Sequence, residues 1–165
     1  MACGRGLDPA AVSASRGLLV VGVGNPLRED DGVGIVLVRR LHERYGERLA
    51  TRELFTADLG LAEELAEVEE LLVVDALAKA RPGKPFVLEP LSAGPVFHQG
   101  GALVSHTFEW PFVLAAARDL IGHAPRAQVL GISGARFGLS EELSPECTAN
   151  AEAAFAFLCD YVDRP

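Results

Sequence analysis

Residues 20–34 read Val20-Val21-Gly22-Val23-Gly24-Asn25-Pro26-Leu27-Arg28-Glu29-Asp30-Asp31-Gly32-Val33-Gly34, and the rest of the chain is organised around them. The stretch opens on a short apolar run, Leu18 to Val21, that is continuous rather than alternating. A strand covered on both faces reads that way, as parallel strands in α/β proteins do. Gly22 and Gly24 then turn the chain, the acidic cluster Glu29, Asp30 and Asp31 follows, and a helical pattern begins. Strand, turn and helix start are thus compressed into one segment.

Outward from that segment, apolar residues recur at helical spacing through Val33, Val36 or Leu37, Leu41 and Tyr45, with Gly46 as a stop. Ala50 to Phe55 reads as a short strand and Leu61 to Val68 as a short acidic helix. Glu70 to Asp75 is a second buried strand that ends in an acid, and Pro85 to Glu89 is a further strand. Ser92 to Gly101 is a loop. Phe108 to Ile121 is predicted helical, with Pro111 in its first turn and Gly122 ending it. Ala127 to Ile132 is another buried strand. Glu146 to Val162 closes the chain as a helix with Ala153, Phe157, Ala154 and Leu158 turned inward. Strands alternating with helices predict an α/β sandwich around a mostly parallel sheet, with helices on both faces. One domain is expected over residues 17–165, preceded by a flexible tail at 1–16.

Composition narrows the function. With 15 basic against 23 acidic residues the net charge is -8, and only Arg39 and Arg40 are adjacent. A phosphate-neutralising face for nucleic acid is not expected. The start of the chain lacks the build of a signal peptide, and no apolar run is long enough to span a bilayer, so a soluble cytoplasmic protein is expected. Cys3, Cys147 and Cys159 are widely spaced, have no CxxC, and read as free thiols.

The Gly22–Gly24 turn resembles a dinucleotide fingerprint, but Leu27 stands where the third glycine would fall. Three acids at the helix start would repel a pyrophosphate, which needs free N–H groups and positive potential. The acids themselves allow two readings. Asp30 or Asp31 can cap the following helix, or they can serve chemistry. Asp75, directly after an apolar strand, either caps a turn or is paired, hydrogen-bonded or metal-bound, because a lone buried carboxylate is costly. His106 follows the Gly-rich loop and is either structural or functional. His42 reads as solvated, and His98 and His123 have no evident partner. Asp31, Asp75 and His106 together form a feasible divalent-metal set for zinc or nickel, with positions left open for substrate. No G-x-S-x-G elbow is present; Ser133 in G-I-S-G is the nearest approach.

The segment G-V-G-N-P-L-R-E-D-D-G-V-G, followed by V-V-D-A and later S-H, resembles the hydrogenase maturation proteases. These endopeptidases trim the C-terminus of the large subunit of nickel-iron hydrogenases. The resemblance runs from about Leu18 to the last helix. It implies a twisted, mainly parallel five-stranded sheet between helices, and a metal-dependent peptidase acting on a nickel-loaded large-subunit precursor. By the same resemblance Asp31, Asp75 and His106 are the nickel ligands, and Gly22, Gly24 and Asn25 shape the turn. Nickel is borne by the substrate or bound at the site, with another divalent metal as an alternative. Asp31 and Asp75 would serve catalysis, with Asp30 as the carboxylate for proton transfer. Two departures stand out: some relatives carry Glu at the position of Asp31, and T-F-E-W-P follows His106 in place of Gly-Leu. A nucleotide- or metabolite-binding domain and a non-catalytic nickel chaperone are the competing readings.

Overall fold

The computed structural model describes residues 17–57, 59–78, 83–94 and 109–165. Five strands form one sheet: β1 (Leu18–Val23), β2 (Ala50–Leu54), β3 (Glu70–Leu77), β4 (Phe86–Leu91) and β5 (Arg126–Ser133). Their spatial order is β2-β1-β3-β5-β4. All neighbours run parallel except β4, which pairs antiparallel with β5 at the edge. Among the described residues, four α-helices accompany the sheet: α1 (Val33–Tyr45), α2 (Leu61–Glu64), α3 (Trp110–Ala116) and α4 (Pro145–Asp163). The alternation in the sequence therefore gives the expected architecture.

Two apolar layers explain why the strands read as continuous runs. Leu18, Val20, Leu72, Val74, Leu130 and Ile132 face α1 and α4. Their alternating neighbours Leu19, Val21, Val23, Leu71, Val73 and Val129 face α2 and α3. With both faces covered, the central strands β1 and β3 carry apolar side chains at most positions.

Helix details depart from the sequence pattern in three places. The acidic cluster is not the first turn of α1; it forms a separate 3-10 turn, Glu29–Gly32, before the helix starts at Val33. Helix α3 loosens into a π turn at Ala117–Ile121 before Gly122 stops it in a left-handed conformation, φ 82°. In α4 the inward face is Cys147, Ala151, Ala154, Leu158 and Tyr161, whereas Ala153 is exposed. Of the residues expected inward, Ala154 and Leu158 are buried and half-buried Phe157 packs against the same core, while Ala153 turns outward, since an Ala-rich helix offers little apolar contrast between its faces. Among the described residues no helix is long and apolar enough to cross a membrane. The expected tail at 1–16 with Cys3, the loop residue His98 and the candidate ligand His106 lie outside the described residues.

The topology sets one location apart. From β1 the chain moves outward to β2 on one side, then crosses back to β3 on the other. The carboxyl ends of β1 and β3 thus flank the point where the winding direction reverses, and open α/β sheets bind their ligands in that crevice.

Candidate functional site

The loop after β1 is held by its own backbone. The Gly24 N–H donates to the Leu54 carbonyl at 3.1 Å, and the Arg28 N–H to the Asn25 carbonyl at 3.0 Å. Gly24 has φ 132°, and a Cβ there would fall 1.9 Å from the Asp31 carbonyl oxygen. No other residue type fits at that close approach. A Cβ at Gly34 would likewise fall 2.2 Å from the Val74 carbonyl oxygen. This glycine lets the start of α1 rest directly on β3, beside Asp75.

The 3-10 turn divides the three acids. Glu29 has φ 49°, and its carboxylate accepts from the Gly138 N–H at 2.6 Å. Asp30 is fully buried and turned the same way. Its Oδ2 accepts from the N–H groups of Ala135 at 2.7 Å and Arg136 at 2.8 Å, and from the Ser144 hydroxyl at 2.8 Å. Its Oδ1 accepts from the Ser144 N–H at 2.6 Å. Burial pushes this carboxyl up, but the Ser144, Ala135 and Arg136 amides and the Ser144 hydroxyl outweigh it. The net result is below the ordinary carboxyl value. Asp30 ties the loop after β5 to the start of α4, where Ser144 is itself the N-cap and accepts from the Cys147 N–H at 3.1 Å. Four donors hold its ionised form and anchor two loops of the scaffold.

Asp31 points the other way. It is buried, and its Oδ2 accepts from the Asn25 N–H at 2.9 Å. It does not cap α1, whose N-cap is Gly32 and carries no side-chain bond. Asp75 is also buried, and its Oδ1 accepts from the Ala76 N–H at 2.7 Å. Rather than ending β3, Asp75 sits within it, paired with Gly131 of β5. The β1 pairing stops one residue earlier, at Gly22 with Val74. Asp75 is thus the first residue of β3 beyond the reach of β1, and the 3-10 turn carrying Asp31 packs against this strand. Two buried carboxylates therefore flank the crevice between β1 and β3. As acceptor-only oxygen donors they suit a divalent cation. Among the described residues no group of three His, Cys, Asp or Glu side chains forms a metal-ligand set.

The remaining candidates have structural places. The Ser133 hydroxyl donates to the Lys84 carbonyl at 2.8 Å. His123 donates from Nε2 to the Val68 carbonyl at 2.7 Å, a partner invisible in the sequence. His42 is exposed and lies 3.3 Å from the Thr51 hydroxyl. Burial, together with the charge and hydrogen bond of Asp30, pushes the Cys147 thiol up to about 12, so it is a neutral thiol at pH 7. Sequence reasoning missed Ser144 as the partner of Asp30, although Ser-Pro before a helix is a recognisable cap signal.

No family model matches the chain. A curated relative, the hydrogenase expression/formation protein HupD of Bradyrhizobium diazoefficiens, is 31% identical over 116 residues. The match covers 68% of this chain but only 59% of that relative. Among solved structures, the hydrogenase maturating endopeptidase HybD from E. coli superposes with a TM-score of 0.71 at 23% identity, covering 88% of this chain and 91% of that one. HybD from Thermococcus kodakarensis, a [NiFe] hydrogenase maturation protease, gives 0.69 at 22% identity, covering 88% and 99%. These likenesses establish the fold.

Proposed function

We infer that this chain belongs to the hydrogenase maturation proteases and is an endopeptidase that removes the C-terminal extension of a nickel-iron hydrogenase large-subunit precursor. The observation that carries this reading is the placement of Asp31 and Asp75, two buried carboxylates flanking the crevice where the β1 and β3 ends diverge. The HupD and HybD likenesses point the same way. The nucleotide reading is not favoured. Acids fill the turn before α1, where a phosphate needs positive potential. A polypeptide substrate fits the surroundings of the crevice. Leu27 and Leu139 are exposed on adjoining segments linked through the Arg28–Ser140 bridge, and exposed Phe55 directly follows β2.

Nickel already installed in the precursor is part of the substrate. When bound, it supplies Lewis acidity toward the scissile carbonyl or a water. Asp31 and Asp75 contribute oxygen ligands, and His106 is the third ligand assigned by sequence. An incomplete ligand set binds metal weakly until the substrate adds the rest, which makes cleavage conditional on metal insertion. The peptidase is then metal-dependent, with the two aspartates as its acidic groups, and it works where the precursor is assembled, in the cytoplasm.

The test is incubation of the chain with nickel-loaded and nickel-free precursor, followed by intact mass. Loss of the C-terminal extension from the loaded form alone is expected. An untouched loaded precursor, with the chain acting only as a nickel carrier, contradicts the reading.

A further inference from the structure

Asn25 is locked on three sides. Its N–H donates to Asp31 Oδ2 at 2.9 Å, its carbonyl accepts from the Arg28 N–H at 3.0 Å, and its side-chain Oδ1 accepts from the Leu27 N–H at 2.9 Å. The last contact fixes the amide. A backbone N–H can only donate, so the oxygen must face Leu27 and the NH2 group must face away from it. That NH2 group has no partner among the described residues, and Asn25 is half-buried. The turn thus holds a neutral double donor beside Asp31, two residues past the end of β1. Preorganisation of this kind costs nothing at the moment of reaction.

The crevice needs such a group. Asp31 and Asp75 accept hydrogen bonds but donate none when ionised, so neither can bind a peptide carbonyl. Arg28 is the nearest alternative in sequence, but its guanidinium already donates to the Phe137 carbonyl at 3.3 Å. We propose that the Asn25 side-chain amide donates a hydrogen bond to the carbonyl oxygen of the scissile peptide and stabilises the negative charge that gathers there as water adds to the carbon. The proposal rests on the endopeptidase reading. In that step the water oxygen bonds to the carbonyl carbon as the C=O double bond opens to an oxyanion; the double bond re-forms as the C–N bond breaks, and the proton released by the water passes to the leaving amine. Asn25 contributes the hydrogen bond and gives up no proton.

Two variants separate this role from a merely structural one. Asn25→Asp keeps the acceptor that Leu27 requires but loses the donor. Asn25→Ala loses both and adds no charge. The experiment is single-turnover trimming of nickel-loaded precursor, with precursor affinity and thermal midpoint measured alongside. Both variants are expected to bind precursor as the unaltered chain does and to trim about 10²- to 10³-fold more slowly, the usual loss on removing one such donor. Asn25→Asp is expected to keep its thermal midpoint. Trimming by Asn25→Asp at the unaltered rate, or a loss lying wholly in precursor affinity, overturns the assignment. If the unaltered chain leaves the precursor whole, the endopeptidase reading fails first. If it trims and both variants trim as fast, only the role of Asn25 fails.

Discussion

Asp30 and Asp31 are adjacent, chemically identical and both buried, yet they face different parts of the molecule. A 3-10 turn has three residues per turn, so consecutive side chains diverge by about 120°. Asp30 therefore reaches the loop after β5 and Asp31 the loop after β1. One carboxylate is bound into the scaffold by four donors; the other, with Asp75, is set beside the crevice. Burial alone therefore does not mark a functional acid. The Asp30 partners join the loop after β5 to the start of α4, whereas Asp31 accepts from the Asn25 N–H in the turn that follows β1.

The largest expected contrast comes from truncating each acid. Asp31→Ala and Asp75→Ala should each lower precursor trimming by about 10³-fold or more, several kcal/mol of lost transition-state stabilisation. Each also leaves a buried N–H without its acceptor, that of Asn25 or Ala76, so a fall of about 1–3 kcal/mol in stability, smaller than that for Asp30, should accompany the loss of trimming. Asp30→Ala should act mainly on stability, costing about 3–5 kcal/mol through buried N–H donors left without an acceptor. In a domain of this size that is a fall in midpoint of about 10 °C, measurable by scanning calorimetry. An Asp30→Ala protein as stable as the unaltered chain would break the contrast.

Next in size is Gly34→Ala. The added methyl meets the carbonyl oxygens of Val74 and Val23, which are backbone atoms that cannot swing aside. A loss of about 2 kcal/mol is expected from forced overpacking, seen as a lower urea midpoint. Because the helix start must lift from β3, trimming should fall as well.

Much of this was legible in the sequence, for physical reasons. Unbroken apolar runs at Leu18–Val21 and Leu71–Val74 announced strands covered on both faces. Asp31 and Asp75 stood out because each directly follows such a run or its turn. The division of labour between Asp30 and Asp31 was not legible, because it depends on partners more than a hundred residues away, Ala135, Arg136 and Ser144. The amide orientation of Asn25 depends on a local turn that the letters G-N-P-L suggest but do not orient. The inward face of α4 was obscured by its run of alanines.

A smaller effect sharpens the role of Asp30 through pH. Its carboxyl lies below the ordinary value when folded, so it binds a proton more readily when unfolded. The stability it contributes is complete above the unfolded-state value of about 4 and is lost as pH falls through the folded-state value. Midpoints measured downward from about pH 6 should fall less steeply for Asp30→Asn than for the unaltered chain. Equal slopes would mean that the anchor is not ionised.

The smallest effect concerns the thiol beside that anchor. With its pKa pushed up to about 12, buried Cys147 should resist iodoacetamide in the folded protein at neutral pH and react only after denaturation. Peptide mass mapping checks this, and rapid native alkylation at Cys147 would show that the Asp30–Ser144 corner opens.

The most direct measurement is a side-by-side trimming assay of Asp31→Ala, Asp75→Ala and Asp30→Asn against nickel-loaded large-subunit precursor, read by the mass of its C-terminus at a temperature where all three are folded. The expected result is an intact precursor with Asp31→Ala and Asp75→Ala and a trimmed one with Asp30→Asn. Trimming by both crevice variants, with loss only in Asp30→Asn, would contradict the assignment of the site.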